Sequence, residues 1–415
     1  MANEPDQSPH PLDPVLQTII VPFLLAYVLW VLDDARQRSI QKLYFVARDG
    51  EVLLRIAEAL QDGRRDIDLR YLYGSRRAWV PASISSNDDD WMWSIAVTGE
   101  ECTPESLTSR LGLSGDDRVT IQNLAAENGY SWEARLTTVG ACQFLAQMWL
   151  HADIRKRIEA TATTLREGAI RYFRQEGLFT AENWALVDAG WSLNCQAALG
   201  RILRTGSATT PLVGYYMGLA KDHLSTTLAG SVRPFIKDTG SIFARRRAVV
   251  EHSFLASTHA STYGYTSTDG KVVPQLGVEF RLDGELDYAR RLHATAAAAA
   301  RLVAADNRVA DAIATYRPVI VRNAARLLHA PSREDALAIG QLTATPDVRH
   351  ERDAVRPLCQ ALQIPDICNI LREKLVPGSI ARKVLPVWPE GSLAISAAYV
   401  RLPFNALYPS GNFRS

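Results

Sequence analysis

The sequence has few of the residues that build metal clusters and disulfide frameworks. Its 415 residues include only five cysteines and four methionines. The cysteines form neither a CxxC pair nor a Cys/His cluster at zinc spacing, which argues against a structural zinc site and a disulfide scaffold. HExxH, GxGxxG and Walker-type phosphate loops are also missing. We therefore predict no structural metal and a protein that folds in a reducing compartment.

The chain also lacks an excess of charge of either sign. It carries 46 Lys and Arg against 45 Asp and Glu, a net charge of +1. A nearly neutral chain has no global field to hold nucleic acid or an anionic membrane, so we expect no nucleic-acid partner. Hydrophobic residues make up 47% of the sequence, enough for a large globular core. Any phosphate binding must therefore come from a few local cations.

The N-terminal residues do not resemble a targeting segment. Residues 1–14 are acidic and rich in proline, without the basic and apolar regions of a signal peptide, so we predict a cytoplasmic protein. Residues 15–32 are mostly apolar and approach the length that spans a bilayer. Pro22 interrupts them, and Asp33 and Asp34 follow on the same predicted helix. We predict a buried core helix, with at most a peripheral association with the membrane.

Short apolar runs alternate with amphipathic stretches in a way typical of an α/β fold with a mainly parallel sheet. The predicted strands are Leu43–Val46, Leu69–Tyr73, Trp184–Val187 and Leu212–Leu219. We predict an α/β core in two parts, residues 1–85 and 183–281. Residues 86–182 form a predicted helical insertion between the two parts, and residues 282–415 form a mostly helical C-terminal region.

Polar residues follow three of these strands. Arg48, Asp49 and Gly50 form a turn after the first strand, and Ser75, Arg76 and Arg77 follow the second. Residues 188–194 (DAGWSLN) form a predicted turn before a helix, whose free N–H groups favour an anion. Each feature alone also fits an ordinary turn, cap or solvated face. The carboxyl ends of parallel strands lie at the same edge of a sheet, so the three polar segments should lie close together. This arrangement favours a site for a phosphorylated sugar.

Three segments resemble a known family. LYFVARDGEVLLRIAEAL (43–60), RYLYGSRRAW (70–79) and ALVDAGWSLNCQAAL (185–199) are similar to the phosphoribosyltransferase-type module of bacterial polysaccharide assembly enzymes. That module often lies beside a haloacid dehalogenase-type phosphatase. The resemblance covers roughly residues 15–270 and implies a phosphoribosyltransferase-like sheet flanked by helices.

The resemblance implies a ribofuranosyltransferase that uses phosphoribosyl pyrophosphate (PRPP) and Mg²⁺. It would transfer 5-phosphoribose with inversion to a hydroxyl of a lipid-linked or oligosaccharide glycan acceptor, and a separate phosphatase would remove the 5-phosphate. Asp49 and Glu251 are the catalytic candidates, and Asp49 is also a candidate Mg²⁺ contact. Pyrophosphate would contact Arg48, Gly50, Ser75, Arg76 and Arg77. The ribose and its 5-phosphate would contact Asp188, Gly190, Trp191, Ser192, Leu193 and Asn194.

Two other functions stay open. GWSLN (190–194) differs from the G-x-S-x-G elbow only in having Asn194 in place of the second glycine, which suggests a serine hydrolase with Ser192 as nucleophile and His223, His252 or His259 as base. A non-catalytic PRPP-sensing or scaffold protein would need the same loops but no turnover. The chain departs from ordinary phosphoribosyltransferases in having one acidic residue, Asp188, where they carry two. No DxDxT-like pair of aspartates ends a strand, so we expect no phosphatase chemistry.

Overall fold

A long helix, α1, opens the described part of the chain. The computed structural model describes residues 10–61, 66–85, 90–96, 102–113, 115–180, 182–207, 212–221, 230–278, 284–344, 355–375, 386–398 and 400. Helix α1 (Asp13–Gln37) is apolar enough to span a membrane by length and composition, with a mean hydropathy of 2.3 over its most apolar 18 residues. Because 72% of that window is buried inside the protein, α1 is a core helix consistent with a soluble protein.

Five parallel strands form the central sheet, in the order β2-β1-β3-β4-β5. They are β1 (Lys42–Val46), β2 (Asp68–Leu72), β3 (Trp184–Trp191), β4 (Val213–Leu219) and β5 (Ser231–Pro234). Every residue of β1 is buried, as expected for a strand covered on both faces. The prediction of an α/β fold with a parallel sheet is confirmed.

Helices cover both faces of the sheet. After β1 comes α2 (Gly50–Leu60), and between β2 and β3 lie α3 (Arg76–Ala82), α4 (Asp90–Ala96), α5 (Pro104–Arg110), α6 (Asp116–Glu127), α7 (Thr138–Leu150) and α8 (Ala152–Gln175). α9 (Asn194–Thr205) follows β3. The helices between β2 and β3 share one apolar core with the sheet residues Tyr44, Leu72 and Leu186. They form one layer of the α/β fold, and the predicted boundary at residues 85/86 borders a stretch outside the described residues.

The remaining elements lie mainly on the opposite face, except for a hairpin whose residues Tyr265 and Val272 pack against the first apolar core. They are α10 (Ile242–Arg245), α11 (Arg247–Val249) with a π-helical turn (Val250–Phe254), the hairpin β6 (Thr262–Thr268) and β7 (Lys271–Leu276), α12 (Glu285–Ala305), α13 (Asn307–His329), α14 (Arg333–Gly340), β8 (Thr343–Ala344), β9 (Arg356–Pro357), α15 (Ile364–Leu375) and α16 (Pro389–Ile395). Residues of α1, α2, α12 and α13 join β1 and β3 in the second apolar core. The C-terminal helices are therefore built onto the sheet.

Two local predictions need correction. The turn predicted from Asp188 belongs largely to β3, which continues through Trp191 because β4 pairs with it as far as Trp191↔Leu219. The basic segment RRRAVVEHSF (245–254) also predicts a single helix that begins at Arg245, but the structure breaks this helix at Arg246 and places Glu251 in the π-helical turn. Both errors have one cause, since pairing and packing between distant segments override the local pattern.

Candidate functional site

The predicted loops meet at one crevice of the sheet. β1 lies between β2 and β3, so the chain leaves β1 to one side for β2 and returns on the other side for β3. The order 2-1-3-4-5 is that of a doubly wound sheet, in which ligands bind beyond the carboxyl ends of the strands where the order reverses. The loop after β1 and the end of β3 flank this switch point.

The loop after β1 is held close to its own strand. Gly50 begins α2 and is buried, and a Cβ placed there would lie 2.7 Å from the carbonyl carbon of Phe45. A side chain at residue 50 would push the loop away from the sheet. Gly50 thus has a packing role, while Arg48 and Asp49 remain partly exposed above it.

The end of β3 also depends on a glycine. Gly190 has a φ of +122°, and a Cβ there would collide with the carbonyl oxygen of Gly218 on β4. Leu193, with a φ of 64°, then turns the chain into α9. The side chains of Leu193 and Asn194 are buried, with 2% and 1% of their surfaces exposed. Any contact of these two residues with a phosphate is therefore through the backbone, while Ser192 is partly exposed.

Three carboxylates from distant segments gather at the crevice. Burial raises the pKa of Asp49 well above its usual value, and the charges of Glu251 and Asp188 raise it further. Burial also raises the pKa of Asp188 to about 7, with a further contribution from Glu251. The Asp188 side chain accepts a hydrogen bond from the backbone N–H of Ala189 at 2.8 Å. The raised pKa values mean that the ionised forms of Asp49 and Asp188 are disfavoured here, so a bound cation or a cationic ligand would stabilise them.

Trp191 fixes the position of Glu251. Its indole Nε1 donates a hydrogen bond of 2.9 Å to Oε1 of Glu251, and only 3% of the Trp191 surface is exposed. The buried ring packs in the apolar core beneath the crevice. Trp191 is thus a positioning residue for Glu251, a role that differs from the sugar contact predicted for it.

The cations of the site come from two of the three predicted arginines. Arg48 and Arg76 lie close enough to Asp49 to oppose the rise in its pKa, and Arg76 does the same for Asp188. Arg77 is exposed, and its guanidinium lies 5.7 Å from the ring centre of Tyr263 on β6. Adjacent residues at a helix start point in different directions, and of this pair Arg76 is the one that interacts with the carboxylates.

Ser75 has a structural role. Its hydroxyl oxygen accepts a 3.1 Å hydrogen bond from Ala78 N–H and so caps α3, while its proton is donated to the carbonyl of Thr262. The hydroxyl joins β2 to the hairpin β6–β7. This engagement leaves Ser75 little capacity for a further ligand.

Sequence reasoning missed two groups that shape the site. The buried Tyr27 hydroxyl on α1 donates to the backbone carbonyl of Asp188 at 2.9 Å and supports the end of β3 from below. Glu51 accepts hydrogen bonds from the hydroxyl of Ser257 and the backbone N–H of Thr258, which tie α2 to the segment after the Glu251 turn. Each partner is more than 150 residues away along the chain, so no local pattern indicates either contact.

The described residues contain no group of three or more His, Cys, Asp and Glu side chains arranged around a metal ion. Asp49 and Asp188 are nevertheless suitable oxygen donors for a Mg²⁺ ion that a substrate pyrophosphate also coordinates. Such an ion would stabilise the ionised form of Asp49, which burial and the neighbouring carboxylates disfavour. The residues therefore fit a metal held jointly by protein and substrate.

The serine hydrolase constellation is not assembled among the described residues. Within them, Ser192 makes no hydrogen bond to a histidine. His259 is engaged with the Tyr71 hydroxyl at 2.6 Å and the Ala260 carbonyl at 2.8 Å. His223 lies outside the described residues.

The protein has a mixed α/β fold with a five-stranded parallel sheet, and its candidate ligand site is the carboxylate-rich crevice at the switch point. Comparison of the sequence with protein-family models and with curated proteins found no match.

Proposed function

We propose that the protein is a PRPP-dependent glycosyltransferase that transfers 5-phosphoribose to a glycan hydroxyl. The observation that carries the proposal is the gathering of Asp49, Asp188 and Glu251, with Arg48 and Arg76 beside them, at the switch point of a parallel sheet. A sugar carrying both a pyrophosphate and a phosphate needs cations for its phosphates and carboxylates for its hydroxyls. We further propose that the sheet is phosphoribosyltransferase-like.

In the proposed reaction the bond between C1 of the ribose and the pyrophosphate oxygen breaks, and pyrophosphate leaves with the electron pair. The acceptor hydroxyl oxygen forms the new bond to C1 from the opposite side, which converts the α-configured donor into a β-ribofuranoside. Its proton passes to the carboxylate of Glu251, which the Trp191 indole orients. Arg48 and Arg76 stabilise the charge that develops on the leaving group.

Asp49 and Asp188 would hold Mg²⁺ together with the substrate, and the bound ion would supply positive charge for the pyrophosphate. Asp188 lies at the end of β3 with its carboxylate beside its own backbone, where it also suits the ribose hydroxyls. The near-neutral charge of the chain and its buried α1 fit a cytoplasmic enzyme, at most peripheral at the inner face of the membrane.

The test follows pyrophosphate release from PRPP and Mg²⁺ in the presence of a panel of short glycans. Asp49→Asn, Asp188→Asn and Glu251→Gln should each lower the rate at least about a hundredfold. Asp311→Asn, an exposed carboxylate on α13, is the matched control and should release pyrophosphate like the wild type. Arg76→Gln should lower the rate more than Arg77→Gln.

The alternatives give different results in the same experiments. PRPP binding without turnover on any acceptor would replace the proposal with a sensor or scaffold. Labelling of Ser192 by a fluorophosphonate probe would point to a serine hydrolase. Unchanged pyrophosphate release in both Asp49→Asn and Asp188→Asn would show that the crevice is not the site of reaction.

A further inference from the structure

A second candidate site lies on the outer side of α2, away from the switch point. A cleft of about 640 Å³ runs between α2 and α12. Its charged lining residues are Arg55 and Glu58 on α2 and Arg290 and Arg301 on α12, with Thr258 and the buried His293 beside them. None of these residues belongs to the carboxylate site at the switch point.

The cleft exists because small residues line the facing helices. Ala59 on α2 and Ala294 and Ala297 on α12 form part of its surface. Residues 290, 294, 297 and 301 recur at helical spacing, so they form one stripe along α12 with an arginine at each end. The rise between Arg290 and Arg301 is about 16 Å, the length of a small extended molecule.

One end of the cleft is suited to a strong anion. Arg55 lies close enough to His293 to influence its titration, and Arg290 is one turn before His293 on α12. The ion pairs that these arginines form are long: 3.6 Å from Arg55 to Glu51 and 3.3 Å from Arg290 to Asp287. Since each guanidinium carries five N–H donors, most of them remain available to a phosphate group.

The rest of the cleft has a different character. Ala59, Ala294 and Ala297 offer a shallow apolar surface, on which the C–H face of a sugar ring can lie. Glu58 supplies carboxylate oxygens that accept hydrogen bonds from hydroxyl groups. Among the described residues, Arg301 makes no ion pair, so its donors can contact sugar oxygens or a second charge.

We propose that this cleft binds a phosphorylated saccharide, with its phosphate between Arg55 and Arg290 and its sugar over the alanines towards Glu58. Binding here is independent of any reaction at the switch point. That the ligand is the glycan acceptor, or a part of it, rests on the proposed function. The cleft is connected to the loop after β1 through one hydrogen bond. The backbone N–H of Thr258, which lines the cleft, donates to the carboxylate of Glu51, the residue that follows Asp49 and Gly50.

Isothermal titration calorimetry with α-D-glucose 1-phosphate tests the proposal, with inorganic phosphate and glucose as partial ligands. The wild type should bind glucose 1-phosphate more tightly than phosphate, and glucose should give no measurable heat. Arg55→Gln/Arg290→Gln should weaken binding at least about tenfold, since two charge-assisted hydrogen-bonding groups are lost. Both residues are exposed, so the double variant should fold normally.

Two control variants separate this site from the other. Arg322→Gln removes an equally exposed arginine on α13 and should leave affinity unchanged. Asp188→Asn alters the switch-point site and should also leave affinity in the cleft unchanged. No binding to the wild type at about 10 mM, or equal binding to the Arg55/Arg290 variant, would overturn the proposal. If the protein binds the saccharide but releases no pyrophosphate with any acceptor, the cleft is a binding site as proposed and the proposed transferase function is wrong.

Discussion

The indole of Trp191 and the carboxylate of Glu251 form a 2.9 Å hydrogen bond between residues 60 positions apart. The bond joins the last residue of β3 to the π-helical turn Val250–Phe254. The bond sets the direction of the Glu251 carboxylate relative to Asp188, which lies three residues before Trp191 on β3. The geometry of the candidate site therefore depends on a residue that need not touch a ligand.

Trp191→Phe should slow the proposed reaction while preserving the fold. Phenylalanine keeps an aromatic ring in the core but removes the N–H donor, so Glu251 loses its orienting partner. We expect kcat for pyrophosphate release to fall about tenfold, with a smaller change in KM for PRPP. Steady-state kinetics on the variant and the wild type measure both constants.

Trp184→Phe is the matched control at the other end of β3. The Nε1 of Trp184 is buried and has no hydrogen-bond partner among the described residues. Removal of this N–H should leave kcat unchanged. The free energy of unfolding should fall only by the small amount that comes from replacing the indole with a smaller phenyl ring. Equal losses of kcat in both variants would mean that the ring volume, and not the hydrogen bond to Glu251, matters.

Asp188→Asn should stabilise the ligand-free protein at neutral pH. Burial raises the pKa of Asp188 from 3.8 to about 7, so the unfolded chain releases this proton at a lower pH than the folded protein does. The Asp188 contribution to the free energy of unfolding therefore falls as pH rises between about 4 and 7. Asparagine lacks the charge but keeps an oxygen for the Ala189 N–H.

Urea unfolding of both proteins at several pH values measures this effect. The stability advantage of Asp188→Asn should be absent near pH 4, grow towards pH 7 and stay constant above it. We expect an advantage on the order of a few kcal/mol at most. A difference that does not vary with pH would contradict the proposed cause, because it would mean that the charge of Asp188 is not what destabilises the fold.

The sequence was sufficient to predict four of the five strands of the parallel sheet, all except β5, and the strand ends that carry the candidate site. Buried strands such as β1 are continuous apolar runs, and a strand followed by Arg48 and Asp49 is visible locally. The end of β3 was not predictable in the same way. Gly190 and Trp191 look like turn residues, and only pairing with Gly218 and Leu219 on β4 keeps them in the strand.

The site was predictable in its residue types more than in its contacts. Arg76 and Arg77 are equivalent in the sequence, but Arg77 lies over Tyr263 while Arg76 interacts with the carboxylates. Ser75 looks like a phosphate ligand until its hydroxyl is found between Ala78 and Thr262. Such choices depend on the hairpin β6–β7, whose position no local pattern reveals.

Asp13→Asn should destabilise the protein by about 1 kcal/mol or less at neutral pH. Two 2.8 Å hydrogen bonds from Arg291 lower the pKa of Asp13 to about 2 and attach the start of α1 to α12. A lowered folded-state pKa gives stability that is present above pH 4 and lost as pH falls through about 2. Thermal unfolding should show the difference between wild type and variant at pH 7 and a smaller one at pH 3.

The acidic partner of the neighbouring arginine provides a control for Asp13. Asp287 pairs with Arg290 at 3.3 Å, but 80% of its side chain is exposed. Solvent screening makes such a pair nearly neutral for stability, so Asp287→Asn should not change Tm measurably at either pH. A larger loss from Asp287→Asn than from Asp13→Asn would refute the assignment of Asp13 as the anchor of α1.

Glu390→Gln should destabilise the protein far more than either exposed substitution. Glu390, at the start of α16, forms a two-point ion pair of 2.7 and 2.6 Å with Arg246, and 8% of each side chain is exposed. Loss of the charge leaves the Arg246 guanidinium buried without its counter-ion, at a cost of about 3–5 kcal/mol. Urea unfolding measures the loss, and the double variant Arg246→Met/Glu390→Met should recover most of it because both charges are gone. If the double variant is as unstable as Glu390→Gln, the buried charge is not the cause, and the packing of α16 against the core must depend on the shapes of these two side chains.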